Sequence, residues 1–129
     1  MTEMELLQSK PYGTYDLFFY RGVITKVIDG DTLEVDIDLG CNVWLRGERC
    51  RLRGINTPEM TGAEKASGMA AKQYVEAIVA EEGSEVFIRT DKDKKCKYGR
   101  WMVTVWTGNA SLSINKRLLN NGMAKEYLS

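Results

Sequence analysis

Hydrophobic and polar positions alternate most regularly at Leu33, Val35, Ile37 and Leu39, with Glu34, Asp36 and Asp38 between them. A period of two belongs to a strand with one face in a core and one in water, so this segment is predicted as a half-buried strand ended by Gly40. Before it, residues 17–28 are rich in aromatic and β-branched side chains and read as a longer strand, with Asp29-Gly30-Asp31 supplying the turn. Beyond Gly40, a hairpin excursion through Trp44 and Gly47 is expected to return as a strand over 49–55. There Cys50 and Leu52 alternate with Arg49, Arg51 and Arg53, and three arginines on one face call for water or an anion. Between Glu64 and Glu82 the period changes. Ala66, Met69, Ala70, Tyr74, Ala77 and Ile78 recur at three and four, the spacing of an amphipathic helix, and Gly83 supplies its stop. Segments 85–90 and 101–107 read as two further strands, and a last helix over 113–121 is framed by Ser113 as cap and Gly122 beyond its end.

The order β-β-β-α-β-β-α predicts an α+β, mainly β fold: the five-stranded OB barrel plugged by a helix. A chain of 129 residues suits one domain, here a barrel domain over 17–129 preceded by an amino-terminal extension over 1–16. Neither a signal-peptide pattern nor an apolar run of membrane-spanning length is seen, and a cytoplasmic address is expected. Cys41, Cys50 and Cys96 are odd in number and lack C-x-x-C spacing, so neither a disulfide framework nor a zinc ribbon is indicated.

Eighteen basic residues balance eighteen acidic ones, so bulk charge advertises neither nucleic acid nor membrane. Its distribution says more. Five acidic residues and no basic one lie between Asp29 and Asp38, whereas four arginines oppose one glutamate from Arg46 to Gly54 and five basic residues oppose two aspartates from Asp91 to Arg100. An acidic block followed by two basic ones suits a cation beside a bound phosphate, and it equally suits solvated hairpins. Histidine is absent, which removes Ser-His-Asp and Cys-His hydrolases and the usual zinc sites. Any general base is therefore a carboxylate, a lysine or a tyrosine.

Three strings then sharpen the reading: Val27-Ile28-Asp29-Gly30-Asp31-Thr32, Arg51-Leu52-Arg53-Gly54-Ile55-Asn56-Thr57-Pro58-Glu59, and Lys97-Tyr98-Gly99-Arg100. In this order they resemble the staphylococcal nuclease family, and the similarity runs on through Asn115 and Asn121-Gly122-Met123-Ala124-Lys125. The run Pro11-Tyr12-Gly13-Thr14-Tyr15 and the Asp38-Leu39-Gly40 hairpin are similar to bacteriophage and prophage members. The resemblance implies a Ca²⁺-dependent phosphodiesterase that cleaves DNA and often RNA, with single strands preferred and no protein partner or membrane implied.

By that resemblance Glu59 is the general base, on a turn stiffened by Pro58, and Arg51 and Arg100 grip the scissile phosphate. A guanidinium offers a planar fork of donors and keeps its proton, so it stabilises charge and does no acid–base work. Asp31 and the backbone carbonyl of Thr57 match calcium ligands, hard oxygen donors as Ca²⁺ requires. Asn56 departs from the pattern, standing where the best-known members carry a second metal-binding aspartate. It keeps an oxygen and loses a charge, so weaker affinity or a shift toward Mg²⁺ or Mn²⁺ is expected. Lys97 and Tyr98 match residues that contact a terminal phosphate and nucleotide, and Tyr127 is a looser match to tyrosines that flank the base. Asp29 either assists Asp31 electrostatically or only builds the turn, and Arg49 and Arg53 match no family role. The competing expectation is an OB module that binds single-stranded nucleic acid or a protein without cutting.

Overall fold

The computed structural model describes residues 18–95, 99–108 and 110–127. Strands β1 (Phe19–Asp29), β2 (Thr32–Gly40), β3 (Val43–Leu52), β5 (Glu85–Lys95) and β6 (Trp101–Thr107) close into a barrel in the order β1-β2-β3-β6-β5. All neighbours are antiparallel except β3 and β6, which run parallel through Cys50–Trp101, Arg51–Met102 and Leu52–Val103. Helix α1 (Lys65–Glu82) crosses from β4 (Ile55–Asn56) to β5, and α2 (Ile114–Asn120) follows β6. A small ladder pairs β4 with β7 (Lys125–Glu126), an element that sequence periodicity does not reveal because each strand is two residues long. The mainly β, five-stranded OB-like barrel is thus the observed fold.

Alternation fixes the barrel interior. Leu33, Val35 and Ile37 of β2 meet Cys50 and Leu52 of β3, Val86 and Ile88 of β5, and Val103 and Val105 of β6, all buried in one cluster. Val75 and Ile78 of α1 and Ile114 and Leu118 of α2 join that cluster, so each helix is held by its apolar stripe. Shifts of register in the β1–β2 ladder, between Ile24 and Lys26 and between Val27 and Asp29, bend the strand as closure of a small barrel demands. The cap of α2 is as its sequence predicts: the Lys116 N–H donates to Ser113 Oγ at 3.1 Å, and Gly122 takes φ of 71°.

Three expectations need correction. Leu39 continues the alternation but is 42% exposed, because the β2–β3 hairpin projects past the barrel and leaves no core above it. The excursion through Trp44 and Gly47 is itself strand: Gly40, Cys41 and Asn42 all take left-handed φ in a tight turn, and β3 starts at Val43. Gly47 marks a bulge whose N–H donates to Asp36 Oδ1 at 2.8 Å, so Arg46 and Gly47 together face Asp36. At its other end β3 stops at Leu52, since Gly54 (φ 80°) turns the chain, and Arg53 lies beyond the strand that the alternation predicts. Finally, α1 buries Gly68, Ala71, Val75 and Ile78, whereas Ala66, Ala70 and Ala77 face out. The stripe is rotated about one residue from the expected one, for a reason that lies in the site.

Candidate functional site

The β1–β2 turn, the end of β3, the segment from Asn56 to Met60 and the residue before β6 converge on one open polar cleft of about 260 Å³. Its lining includes Asp29, Asp31, Arg51, Asn56, Thr57, Glu59 and Arg100. Six residues singled out from separate stretches of sequence therefore meet at one place, with Asp29 beside them.

Asp31 is its organising carboxylate. It is only 8% exposed, and its Oδ2 accepts the Thr57 N–H at 3.1 Å and lies 3.3 Å from Arg51 Nη1, while its Oδ1 accepts the Thr32 hydroxyl at 3.2 Å. Asp29 Oδ1 accepts the Asp31 N–H at 3.1 Å, the Asx arrangement that forms the turn. Burial raises the Asp29 carboxyl to about 6, helped by its hydrogen bond to Asp31 and the charge there. Burial also opposes ionisation of Asp31, but the hydrogen bonds from Asp29 and the Thr57 backbone, with the Arg51 charge, outweigh it and hold Asp31 below its ordinary value. Asp31 is the member of the pair that ionises first as pH rises.

Arg51 is oriented by acceptors on three sides. Nη1 donates to the carbonyls of Leu52 at 3.1 Å and Ile55 at 3.0 Å, and Nη2 donates to Asn56 Oδ1 at 3.1 Å. The Gly54 turn brings both carbonyls round to the guanidinium. Asn115 fixes that turn from behind: its amide donates to the carbonyls of Arg53 (2.9 Å) and Val103 (3.1 Å) and accepts the Val105 N–H (3.2 Å). Tyr127, 47% exposed, holds its ring centroid 6.0 Å from the Arg51 guanidinium, and its N–H donates to the Gly54 carbonyl at 2.9 Å. The tyrosine stands beside the cleft rather than in its lining. Of the other arginines, Arg49 is exposed and Arg53 lies 3.7 Å from Asp91, so the expected three-arginine face divides into separate environments.

Glu59 is exposed on a loop whose N–H donates to Glu64 Oε2 at 2.9 Å. That loop rests on α1 at Gly68, where a Cβ would stand 2.3 Å from the Glu59 carbonyl oxygen and 2.8 Å from that of Pro58. Gly30 makes the matching approach from the other side, since its Cβ would fall 2.8 Å from Ala71 Cβ and 3.0 Å from Thr57 Cγ2. Two glycines thus let turn, loop and helix close on one another, and this contact sets the buried face of α1. Neither is evident as a site residue in the sequence, although a glycine inside a helix, costing about 1 kcal/mol against alanine, is the signal that could have raised Gly68. Lys97 and Tyr98, and the Pro11–Tyr15 run, lie outside the described residues.

Asp29, Asp31, Asn56 and Thr57 can all present oxygen, the donor type that hard divalent cations take. Among the described residues no group of three or more Cys, Asp or Glu side chains gathers around one point, so an ion here would draw on amide and backbone oxygen as well as carboxylate. By the chemistry of its oxygens the donor set fits such a cation, which would share Asp31 Oδ2 and Asn56 Oδ1 with Arg51.

The sequence pattern of the staphylococcal nuclease homologues matches residues 49–129. This chain belongs to the staphylococcal nuclease family. Among the family's curated proteins, the thermonuclease of Staphylococcus intermedius is 30% identical over 106 residues, covering 80% of this chain and 57% of that protein. An uncharacterised protein of Methanocaldococcus jannaschii is 28% identical over 131 residues, 85% of this chain and 60% of its own length. Endonuclease YhcR of Bacillus subtilis is 24% identical over 133 residues, 97% of this chain and 10% of that enzyme. The chain therefore spans at most 60% of the length of these relatives. No helix among the described residues is long and apolar enough to cross a membrane.

Proposed function

We propose that this chain is a metal-dependent nuclease that hydrolyses phosphodiester bonds of DNA and RNA, single strands in preference. The observation that carries this reading is the convergence of Arg51, Glu59, Arg100 and Asp31 on one open cleft. In this reading Glu59 accepts a proton from a water molecule, whose oxygen forms a bond to phosphorus while the bond to the leaving oxygen breaks and that oxygen is protonated from solvent. Arg51 and Arg100 donate to the phosphoryl oxygens, whose charge grows in the transition state; Arg51 is already oriented by fixed acceptors and needs little reorganisation. Asp31, Asn56 and the Thr57 carbonyl would hold Ca²⁺, or Mg²⁺ or Mn²⁺ given the amide at Asn56. Such an ion, when bound, neutralises the phosphodiester and fixes its orientation. Lys97, Tyr98 and Tyr127 are proposed to contact the flanking nucleotide.

Asn56 also favours a second reading. Its amide removes a charge from the cation shell, and its oxygen is already taken by Arg51, an arrangement suited to a barrel that binds nucleic acid or a protein without cutting. One experiment separates the two. Single-stranded DNA is incubated with the protein in Ca²⁺, Mg²⁺, Mn²⁺ or EDTA, beside Glu59→Gln. Cleavage that requires metal and falls about 100-fold or more in Glu59→Gln is the expected result. Intact strands in every metal, with binding retained, would overturn the nuclease reading in favour of the binding module.

A further inference from the structure

The outer surface of the wall built by β1, β5 and β6 carries a pattern for which the cleft has no use. Strand pairing sets Arg21 opposite Phe87 and Phe87 opposite Trp106 in one row, then Phe19 opposite Arg89 and Arg89 opposite Thr104 in the next. These positions alternate with buried Gly22, Val86, Ile88 and Val105, so their side chains leave the barrel outward. Rings and arginines consequently form a chequerboard. Phe19 stacks on Phe87 with centroids 6.0 Å apart and 16° between planes, and lies 5.9 Å from the Trp106 ring. It is 43% exposed, and Arg21 and Arg89 are exposed beside it. Among the described residues neither arginine makes an ion pair. Of the described acids around this face, Asp91 is engaged by Arg53, Glu85 stands at the far edge opposite Val23, and Asp38 of β2, opposite Arg21, accepts the Gly40 N–H at 2.8 Å.

A purely apolar face would suit a second copy of the chain, but two of the three rings here lie opposite an arginine. That is the chemistry of an unpaired strand, whose bases offer flat faces for stacking and whose phosphates need positive charge at short, regular intervals. The wall is also continuous with the cleft. Along β6 the outward series Trp106, Thr104, Met102 ends opposite Arg51, and at about 3.3 Å per residue it spans roughly 13 Å. A strand covering an OB barrel occupies about 4–16 nucleotides, enough to reach from one to the other.

We propose that this wall is a second contact surface for single-stranded nucleic acid: bases stack on Phe19, Phe87 and Trp106, and Arg21 and Arg89 meet the flanking phosphates. That the same strand is cut in the cleft rests on the nuclease reading; binding to the wall does not. The test is an anisotropy titration of a labelled 16-nucleotide oligothymidylate in EDTA, using wild type, Phe19→Ala and Arg21→Glu/Arg89→Glu. Thermal unfolding confirms that each variant is folded, and cleavage of a four-nucleotide strand in Ca²⁺ or Mn²⁺ is followed in parallel. Phe19→Ala should weaken binding of the 16-mer at least about fivefold, and the double variant more, with cleavage of the four-nucleotide strand unchanged. Binding of the 16-mer equal to wild type in both variants would overturn the proposal, as would a wild type that does not bind it. Dissociation of a dimer by Phe19→Ala in sedimentation velocity, with 16-mer affinity unaltered, would assign the face to a second copy and overturn it too. If the four-nucleotide strand stays intact while 16-mer binding depends on Phe19, the nuclease reading fails and the surface stands.

Discussion

Arg117 directs both terminal nitrogens at one carboxylate: Nη1 donates to Glu82 Oε1 at 3.0 Å and Nη2 to Glu82 Oε2, while the Thr107 hydroxyl donates to the same carboxylate at 2.6 Å. The result ties the end of α1 to β6 and α2. Arg51 divides its donors among two backbone carbonyls, one amide and, at 3.3 Å, one carboxylate, and borders an open cleft. A bidentate pair is complete in itself and has only a structural task. A guanidinium held mainly by neutral acceptors, with one carboxylate at its side, is oriented while its second terminal nitrogen faces only an amide, so it keeps donors for an incoming anion. The same side chain thus serves as clamp in one region and as poised donor in the other, and the acceptors decide which.

The strongest test of that contrast exchanges each arginine for lysine, which keeps the charge and loses the fork. Arg51→Lys should lower the cleavage rate about 100-fold, read as kcat against KM, with most of the loss in kcat. Arg117→Lys should leave the rate unchanged and lower the unfolding midpoint. Equal effects of the two on rate would abolish the distinction. Next in size is Gly68→Ala, which keeps every functional side chain but drives a methyl into the Glu59 carbonyl. It should cost about 1–3 kcal/mol in urea unfolding and displace the Glu59 loop, so the rate should fall further than stability alone explains. An unchanged rate with lowered stability would show that the helix supports the barrel and not the site.

Much of this was open to inspection in the chain. The β2 alternation, the Ser113 cap and the three strings around Asp31, Arg51 and Arg100 are local signals, and local signals survive folding. Leu39 and the buried face of α1 depart from the periodicity because their environments are set by distant partners: a hairpin that projects past the core, and a loop pressed on Gly68. Likewise the three arginines share a sequence period, but a turn at Gly54 and an ion pair with Asp91 give each its own surroundings.

The smallest expected effect lies in the clamp. Hydrogen bonds from Arg117 and Thr107 lower the Glu82 carboxyl to about 2 from an ordinary 4.5. A carboxyl depressed on folding adds stability above its unfolded value and loses it as pH falls through the folded one. The stability difference between wild type and Glu82→Gln should therefore be constant above about pH 4.5 and shrink toward pH 2. Because the pair is partly exposed, that difference is modest and should diminish in high salt. A difference that grew on acidification would contradict the clamp.

The parallel pairing of β3 with β6 has a consequence in time. It joins segments far apart in the chain, as the bond from Trp101 Nε1 to Glu48 Oε1 shows across 53 residues, and such contacts form late because a long loop must close first. Arg51 is the last residue but one of the first of these strands, and Arg100 precedes the other. A nascent chain that has made its first hairpins but not yet joined these two strands therefore holds the parts of the cleft without the cleft, and whatever chemistry the site performs waits for this seam of the barrel to close.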